Sequence, residues 1–279
     1  MTVFVGTSGF SYPEWIGPVY PDGTPKSRML EAYAKMFDIV EINATFYRPP
    51  GPKMFEKYPE RTGGKMKVMV KLHSAFTHER DPDQNTAKLF DTAVKPLEES
   101  GQFSGYLAQF PQSFYNSNDA GKYIEYLKKL FPEAPLVVEF RHKSWWNDEV
   151  YDFLRDLNVS MATIDAPQVS QLPPPDLVKT AEPAYVRLHG RNAENWYGQG
   201  MEPRYTYKYD RETIKSWVSK VKKIYLESGE TFILFNNHPH GNAPVNANEF
   251  LEILREVMPD ALPAPRPEMP PEIEQGMLF

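Results

Sequence analysis

An alternation repeated eight times constrains this chain most. A short β-branched or apolar run is followed by polar or glycine-containing sequence and then, usually, by an amphipathic helical pattern. The runs fall at residues 3–7, 39–44, 67–73, 105–110, 136–140, 160–165, 184–189 and 231–236. Several, such as Leu136-Val137-Val138, are apolar on both faces, as parallel strands covered by helices must be. Between them, Phe90, Ala93, Val94 and Leu97 share a helical face with Leu89, and Ile214, Trp217, Val218 and Val221 share another. Asp148 and Asn248 are the expected N-caps of two of these helices. The alternation leaves a closed barrel or a doubly wound sheet. No glycine-rich dinucleotide fingerprint follows a strand, and eight units in 279 residues favour closure.

The expected fold is therefore α/β: one (β/α)8 TIM-type barrel over residues 1–258. Two helical segments are irregular. The second, around 53–57, is short, and Pro173-Pro174-Pro175 stand where a sixth helix would lie. From 259 the chain turns proline-rich, and 259–274 reads as an extended tail that cannot make a helix or a core. It ends in Gln275-Gly276-Met277-Leu278-Phe279.

Composition sets the class of chemistry. There is no cysteine, which removes disulfides, thiolate nucleophiles and cysteine metal ligands. No apolar run is long enough to span a bilayer and no basic leader precedes the first strand, so a cytoplasmic location and no membrane partner are expected. A formal charge of −6 argues against a uniformly basic nucleic-acid coat, but leaves room for a local cationic site.

In a barrel, the last inward residues of each strand face the active-site mouth. Reading the strand ends gives Glu41 and Asn43, Lys71 and His73, Gln109, Glu139 and Arg141, Asp165, Arg187 and His189, then Asn236 and Asn237. Burying so many polar groups is costly unless they pair with one another or with a ligand. One reading is a self-satisfied network of Glu41, Glu139 and Asp165 against Lys71, Arg141 and Arg187. The other is a ligand site, with Lys71, Arg141 and Arg187 clamping phosphate or carboxylate and Glu139 and Asp165 as acid and base, supported by His189. Tyr47 and the aromatics of the seventh loop, Trp196 above all, offer surfaces on which bases or sugars stack. His73, Glu139, Asp165 and His189 are suitable metal-ligand types, but the interspersed cations oppose a divalent ion, so no metal is assigned and the cofactor is left open.

Several segments together resemble the DUF72 (YecE-like) family of barrel proteins: Gly6-Thr7-Ser8-Gly9-Phe10-Ser11-Tyr12, then Glu41-Ile42-Asn43-Ala44-Thr45-Phe46-Tyr47-Arg48, Gln109-Phe110-Pro111, Glu139-Phe140-Arg141-His142, Arg187-Leu188-His189-Gly190 and Phe235-Asn236-Asn237. The resemblance implies a TIM-type barrel and supplies no reaction. Its fold is similar to the endonuclease IV and sugar-isomerase barrels, which implies nuclease-like or isomerase-like chemistry. The terminal Gln275, Leu278 and Phe279 resemble the peptide by which bacterial replication and repair proteins dock on the DNA sliding clamp. Three functions are thus expected: a barrel acting on a phosphate-bearing substrate, DNA included, and recruited by the clamp; a sugar-phosphate isomerase or lyase; or a noncatalytic clamp-binding adaptor.

Overall fold

The structure, a computed structural model, describes residues 1–198 and 201–264. Eight parallel strands close into a barrel in chain order: β1 Thr2–Ser8, β2 Ile39–Ile42, β3 Lys67–Lys71, β4 Phe103–Gln109, β5 Leu136–Glu139, β6 Ser160–Asp165, β7 Ala184–Leu188 and β8 Glu230–Phe235, with β8 pairing back onto β1. The helices are α1 Met29–Met36, α2 Ala44–Tyr47, α3 Tyr58–Arg61, α4 Gln84–Glu99, α5 Asn118–Leu130, α6 Asp148–Asp156, α7 Met201–Tyr205, α8 Arg211–Tyr225 and α9 Asn242–Val257. No helix among the described residues is long and apolar enough to cross a membrane.

The barrel interior is plugged by Phe4, Ile39, Met69, Leu107, Val137, Ala162, Tyr185, Phe232 and Leu234. Side chains alternate across a strand, so the residue two positions on from each plug residue returns to the barrel axis, one layer nearer the C-terminal mouth. Those residues are Glu41, Lys71, Gln109, Glu139, Ile164, Arg187 and Asn236, with Ser8 supplied by β1 two residues beyond Gly6. The strand pattern thus sets an apolar plug beneath an almost wholly polar floor.

The irregular connections are real. Residues 166–183 form no helix, and β6 is instead covered by an extended segment bound through side chains. Thr163 Oγ1 accepts from the Val178 amide at 3.2 Å, and Thr180 Oγ1 accepts from the Met161 amide at 2.9 Å. The second connection carries only the single turns α2 and α3.

Several expected boundaries move. Strand β2 stops at Ile42 because Thr45 Oγ1, bonded to the carbonyls of Ile42 and Lys71, turns the chain into α2. Strand β4 starts two residues early, at Phe103, and Gly105 accommodates the irregular register against β3 with φ 122. The cap of α6 is Asn147 rather than Asp148, since the Asn147 side chain accepts from the Val150 amide at 3.0 Å. Asn248 caps nothing: it lies inside α9, which begins after Gly241. Leu89 lies at the edge of its helical face on α4, 40% exposed. Residues 259–261, read as tail, form a 3-10 turn with Ala261 buried against the core, because a proline at the first position of a turn gives up no hydrogen bond.

Candidate functional site

Arg187 organises the floor. Its Nη1 donates to Glu139 Oε2 at 2.5 Å, its Nη2 to Glu41 Oε1 at 2.6 Å, and a longer bond reaches Ser8 Oγ. The buried Tyr185 hydroxyl, from the plug below, donates to Glu41 Oε2 at 2.8 Å. Arg141 Nε donates to the other Glu139 oxygen, and Arg141 Nη2 lies 3.1 Å from His189 Nε2. Burial alone would raise the Glu139 carboxyl, but Arg141, Arg187 and His189 outweigh it and hold the group well below the usual carboxylate range. Glu139 is therefore an ion-paired carboxylate at neutral pH and has no proton to give as a general acid.

His189 is fully buried, and burial followed by the charge of Arg141 pushes its imidazole down to about 3. It is neutral at any physiological pH. Asn236 Nδ2 sits 2.9 Å from Nδ1; with that amide donating, the ring proton lies on Nε2, where Glu139 accepts it at 3.3 Å and Arg141 Nη2, itself a donor, is a neighbour rather than a hydrogen-bond partner. Ion pairs and hydrogen bonds thus join Glu41, Glu139, Arg141, Arg187 and His189 in one network, in which Arg187 Nε is left as a buried donor without a partner among the described residues.

Lys71 stands apart. Among the described residues no carboxylate lies within ion-pair distance of Nζ, which donates instead to Gln109 Oε1 at 2.9 Å and sits 4.1 Å from the Phe46 ring centroid. Burial, then the positive charges of Arg187 and Arg141, bring its ammonium down to about 7 against the opposing pull of Glu41 and Glu139. Above it open two adjoining cavities, of about 300 and 350 Å³, that share Tyr47, Lys71, Gln109, Arg141 and Tyr205. The first is walled by Phe10, Ser11, Tyr12, Asn43 and His238, and the second by Phe46, His78, Trp196, Tyr197 and Arg204. Tyr12 stacks on His238 with centroids 4.5 Å apart, and its hydroxyl donates to the Ser8 carbonyl. Two cations lie over Trp196, with the Arg141 and Arg204 guanidinium carbons 5.5 and 5.8 Å from its ring centroid.

The protein-family description "Protein of unknown function DUF72" matches residues 4–271. The chain belongs to the DUF72 family. Among curated relatives it is 27% identical to the UPF0759 protein YunF of Bacillus subtilis, over 90% of this chain and 94% of that one. It is 22% identical to the UPF0759 protein YecE of Escherichia coli, over 94% and 97% of the two chains. Among solved structures, a DUF72 family protein of Thermotoga maritima superposes with a TM-score of 0.84 at 35% identity, covering 91% of this chain and all of the other. One from Enterococcus faecalis gives a TM-score of 0.81 at 22% identity, over 96% of this chain.

In this DUF72 barrel the structure brings together Glu41, Asn43, Tyr47, Lys71, Gln109, Glu139, Arg141, Arg187, His189, Trp196 and Asn236. Three other expected site residues are elsewhere. Asp165 follows the inward Ile164, so it faces the helices. There it accepts from Arg191 Nε at 2.9 Å and Trp217 Nε1 at 3.2 Å, and thereby anchors the seventh loop to α8. Asn237 likewise follows the inward Asn236 and is fully buried, donating to Asn246 Oδ1 and the Tyr207 carbonyl. His73 leaves the strand and accepts from the Ala75 amide at 3.2 Å, closing the turn after β3. The ion network thus retains Glu41, Glu139, Arg141 and Arg187 but neither Asp165 nor Lys71. Among the described residues no three His, Asp or Glu side chains gather to hold a metal ion. Gln275, Leu278 and Phe279 lie outside the described residues.

Strand-end counting does not single out Tyr12 and Phe46 as pocket residues. Tyr12 and Phe46 were legible, since both fall within the family-like stretches. His78 and His238, which follow the ends of β3 and β8 in a sequence whose six histidines all fall at or just after strand ends, and Tyr205, one of the seventh-loop aromatics, line the cleft as well.

Proposed function

We propose that this DUF72 barrel binds and processes a small phosphate-bearing organic molecule of the sugar-phosphate class in the cleft above its strand ends. The observation that carries this reading is Lys71, a cation at the cleft floor with no carboxylate opposite it. The formal charges of Glu41 and Glu139 cancel those of Arg141 and Arg187, so Lys71 and the rim guanidinium of Arg204 remain for an anion. Asn43 Oδ1 is a buried acceptor with no partner among the described residues, which suits a ligand hydroxyl. Each cavity has the size of a small-molecule site.

Titration calorimetry and thermal-shift assays with a panel of pentose and hexose phosphates test this. A ligand at ~100 times its Kd adds about 2.7 kcal/mol, a shift of roughly 5–10 °C for a chain of this size. The parent sugars without phosphate should give none. Equal responses to sugar and sugar phosphate would overturn the reading.

Arg141 and Arg204 beside Trp196 also suit a nucleobase, so DNA offering one unstacked nucleotide is the second reading. Binding of abasic or single-stranded oligonucleotides in preference to every sugar phosphate would favour it. Recruitment by the sliding clamp rests on Gln275, Leu278 and Phe279. Deletion of 275–279 should abolish clamp binding and leave anion binding unchanged. A deletion variant that still binds clamp would refute it, and an adaptor role requires clamp binding with no ligand for the cleft.

A further inference from the structure

We propose that Lys71 Nζ is a nucleophile, capturing the carbonyl carbon of an anionic aldehyde or ketone as an imine. The proposal rests on the reading of the cleft as a small-anion site and names the reactive group of its substrate.

Three observations converge on Nζ. The first is position: Lys71 is two residues beyond the plug residue Met69, at the C-terminal end of β3, and lines both cavities. The second is its fixed surroundings. Gln109 Nε2 donates to the Phe110 carbonyl at 2.7 Å, so the Gln109 amide is oriented with Oε1 toward Nζ and can only accept from it. That bond occupies an N–H, the Phe46 ring covers a second side, and the remaining direction is the cavity. The third is protonation. Among the described residues no carboxylate holds the ammonium, while Arg187 and Arg141 face it; Glu41, Glu139, His78, Arg204 and the phenols of Tyr47 and Tyr205 are the other charged and titratable groups of its surroundings. With its ammonium brought down to about 7, roughly half the side chain is free amine at neutral pH. That is on the order of 10³-fold more than an exposed lysine offers.

The step balances without a co-reactant. The amine lone pair attacks the carbonyl carbon, the C–N bond forms as the C=O π bond opens, and the carbinolamine loses the carbonyl oxygen with the two amine hydrogens as water. The C=N product, once protonated, withdraws electrons from the neighbouring carbon, as isomerase and lyase chemistry on a sugar phosphate requires.

Glycolaldehyde phosphate with cyanoborohydride tests this on the full-length chain, the adduct being located by peptide mass spectrometry. We expect one adduct per chain at Lys71, formed at least tenfold faster than at any other lysine, slowed by sugar phosphates, and formed more slowly with uncharged glycolaldehyde. Lys71→Arg keeps the charge and should lose the adduct while still binding sugar phosphates. Labelling spread evenly over the surface lysines, or undiminished in Lys71→Arg, overturns the imine. If sugar phosphates still bind in that case, the anion reading stands alone. If instead Lys71 is labelled equally fast by both aldehydes, the imine stands and the anion reading fails.

Discussion

Replacing Glu139 by glutamine removes one negative charge from between two buried guanidiniums. Glu139 is fully buried, with one oxygen bonded to Arg141 and the other to Arg187, and His189 is 3.3 Å away. A glutamine keeps one acceptor and turns an amide toward the second arginine, leaving Arg187 with Glu41 alone and Arg141 with no carboxylate among the described residues. Removing one partner of a buried ion pair costs about 3–5 kcal/mol. At roughly 2–4 °C per kcal/mol for a domain of this size, Glu139→Gln should melt on the order of 10 °C below wild type at pH 7. The acid limb fixes the sign independently. The folded Glu139 carboxyl titrates well below its unfolded value, so its contribution is fully present above about pH 4.3 and is lost as pH falls through the folded value. The wild-type advantage must therefore shrink below about pH 4. Calorimetric scans of both proteins from pH 3 to 8 decide it. A Glu139→Gln variant within about 1 kcal/mol of wild type at pH 7, or a gap that widens toward acid, refutes the charge-network account.

Sulfate, whose charge is constant over the range, should bind progressively more weakly from pH 6 to 8 as Lys71 deprotonates near 7, by at most about tenfold per pH unit. Glu139, Arg187 and His189 keep their charge states in that window, and Lys71→Met should flatten the profile in calorimetric titrations. Asn246→Ala strands the Tyr209 amide and carbonyl and one of the two Asn237 side-chain N–H groups, and should cost about 3 kcal/mol in urea denaturation. Gly6→Ala places a Cβ 2.0 Å from the Ile39 carbonyl oxygen and 2.9 Å from the Tyr33 hydroxyl, which itself donates to that oxygen. The β1–β2 contact must then open, and a denaturation midpoint equal to wild type would contradict the close approach.

The barrel was legible because consecutive apolar residues such as Val137-Val138 report burial on both strand faces, and because the runs recur at helix-sized intervals. That same two-sided burial hides which residue of a pair points inward. For β2, β3, β4, β5 and β7 the polar residue at the strand end falls on the inward face. In β6 the parity is the other way: Ile164 takes the floor position and Asp165, polar and next in line, turns out to Trp217. Asn236 and Asn237 pose the same ambiguity, and only the first reaches the cleft. Charge pairing was less legible still. Arg187 meets Glu41 and Glu139 across the barrel, and Lys71 is left without a carboxylate, because strand stagger decides which floor residues touch. No linear spacing encodes that.

The most direct test of the cleft as an organic-anion site is a crystal structure of the chain soaked with ribose 5-phosphate. The account requires the sugar phosphate in the paired cavities, with a phosphoryl oxygen within hydrogen-bond distance of Lys71 Nζ or the Arg204 guanidinium and a sugar hydroxyl on Asn43. Phosphate density away from Lys71 and Arg204, with those side chains unmoved at saturating ligand, would contradict it.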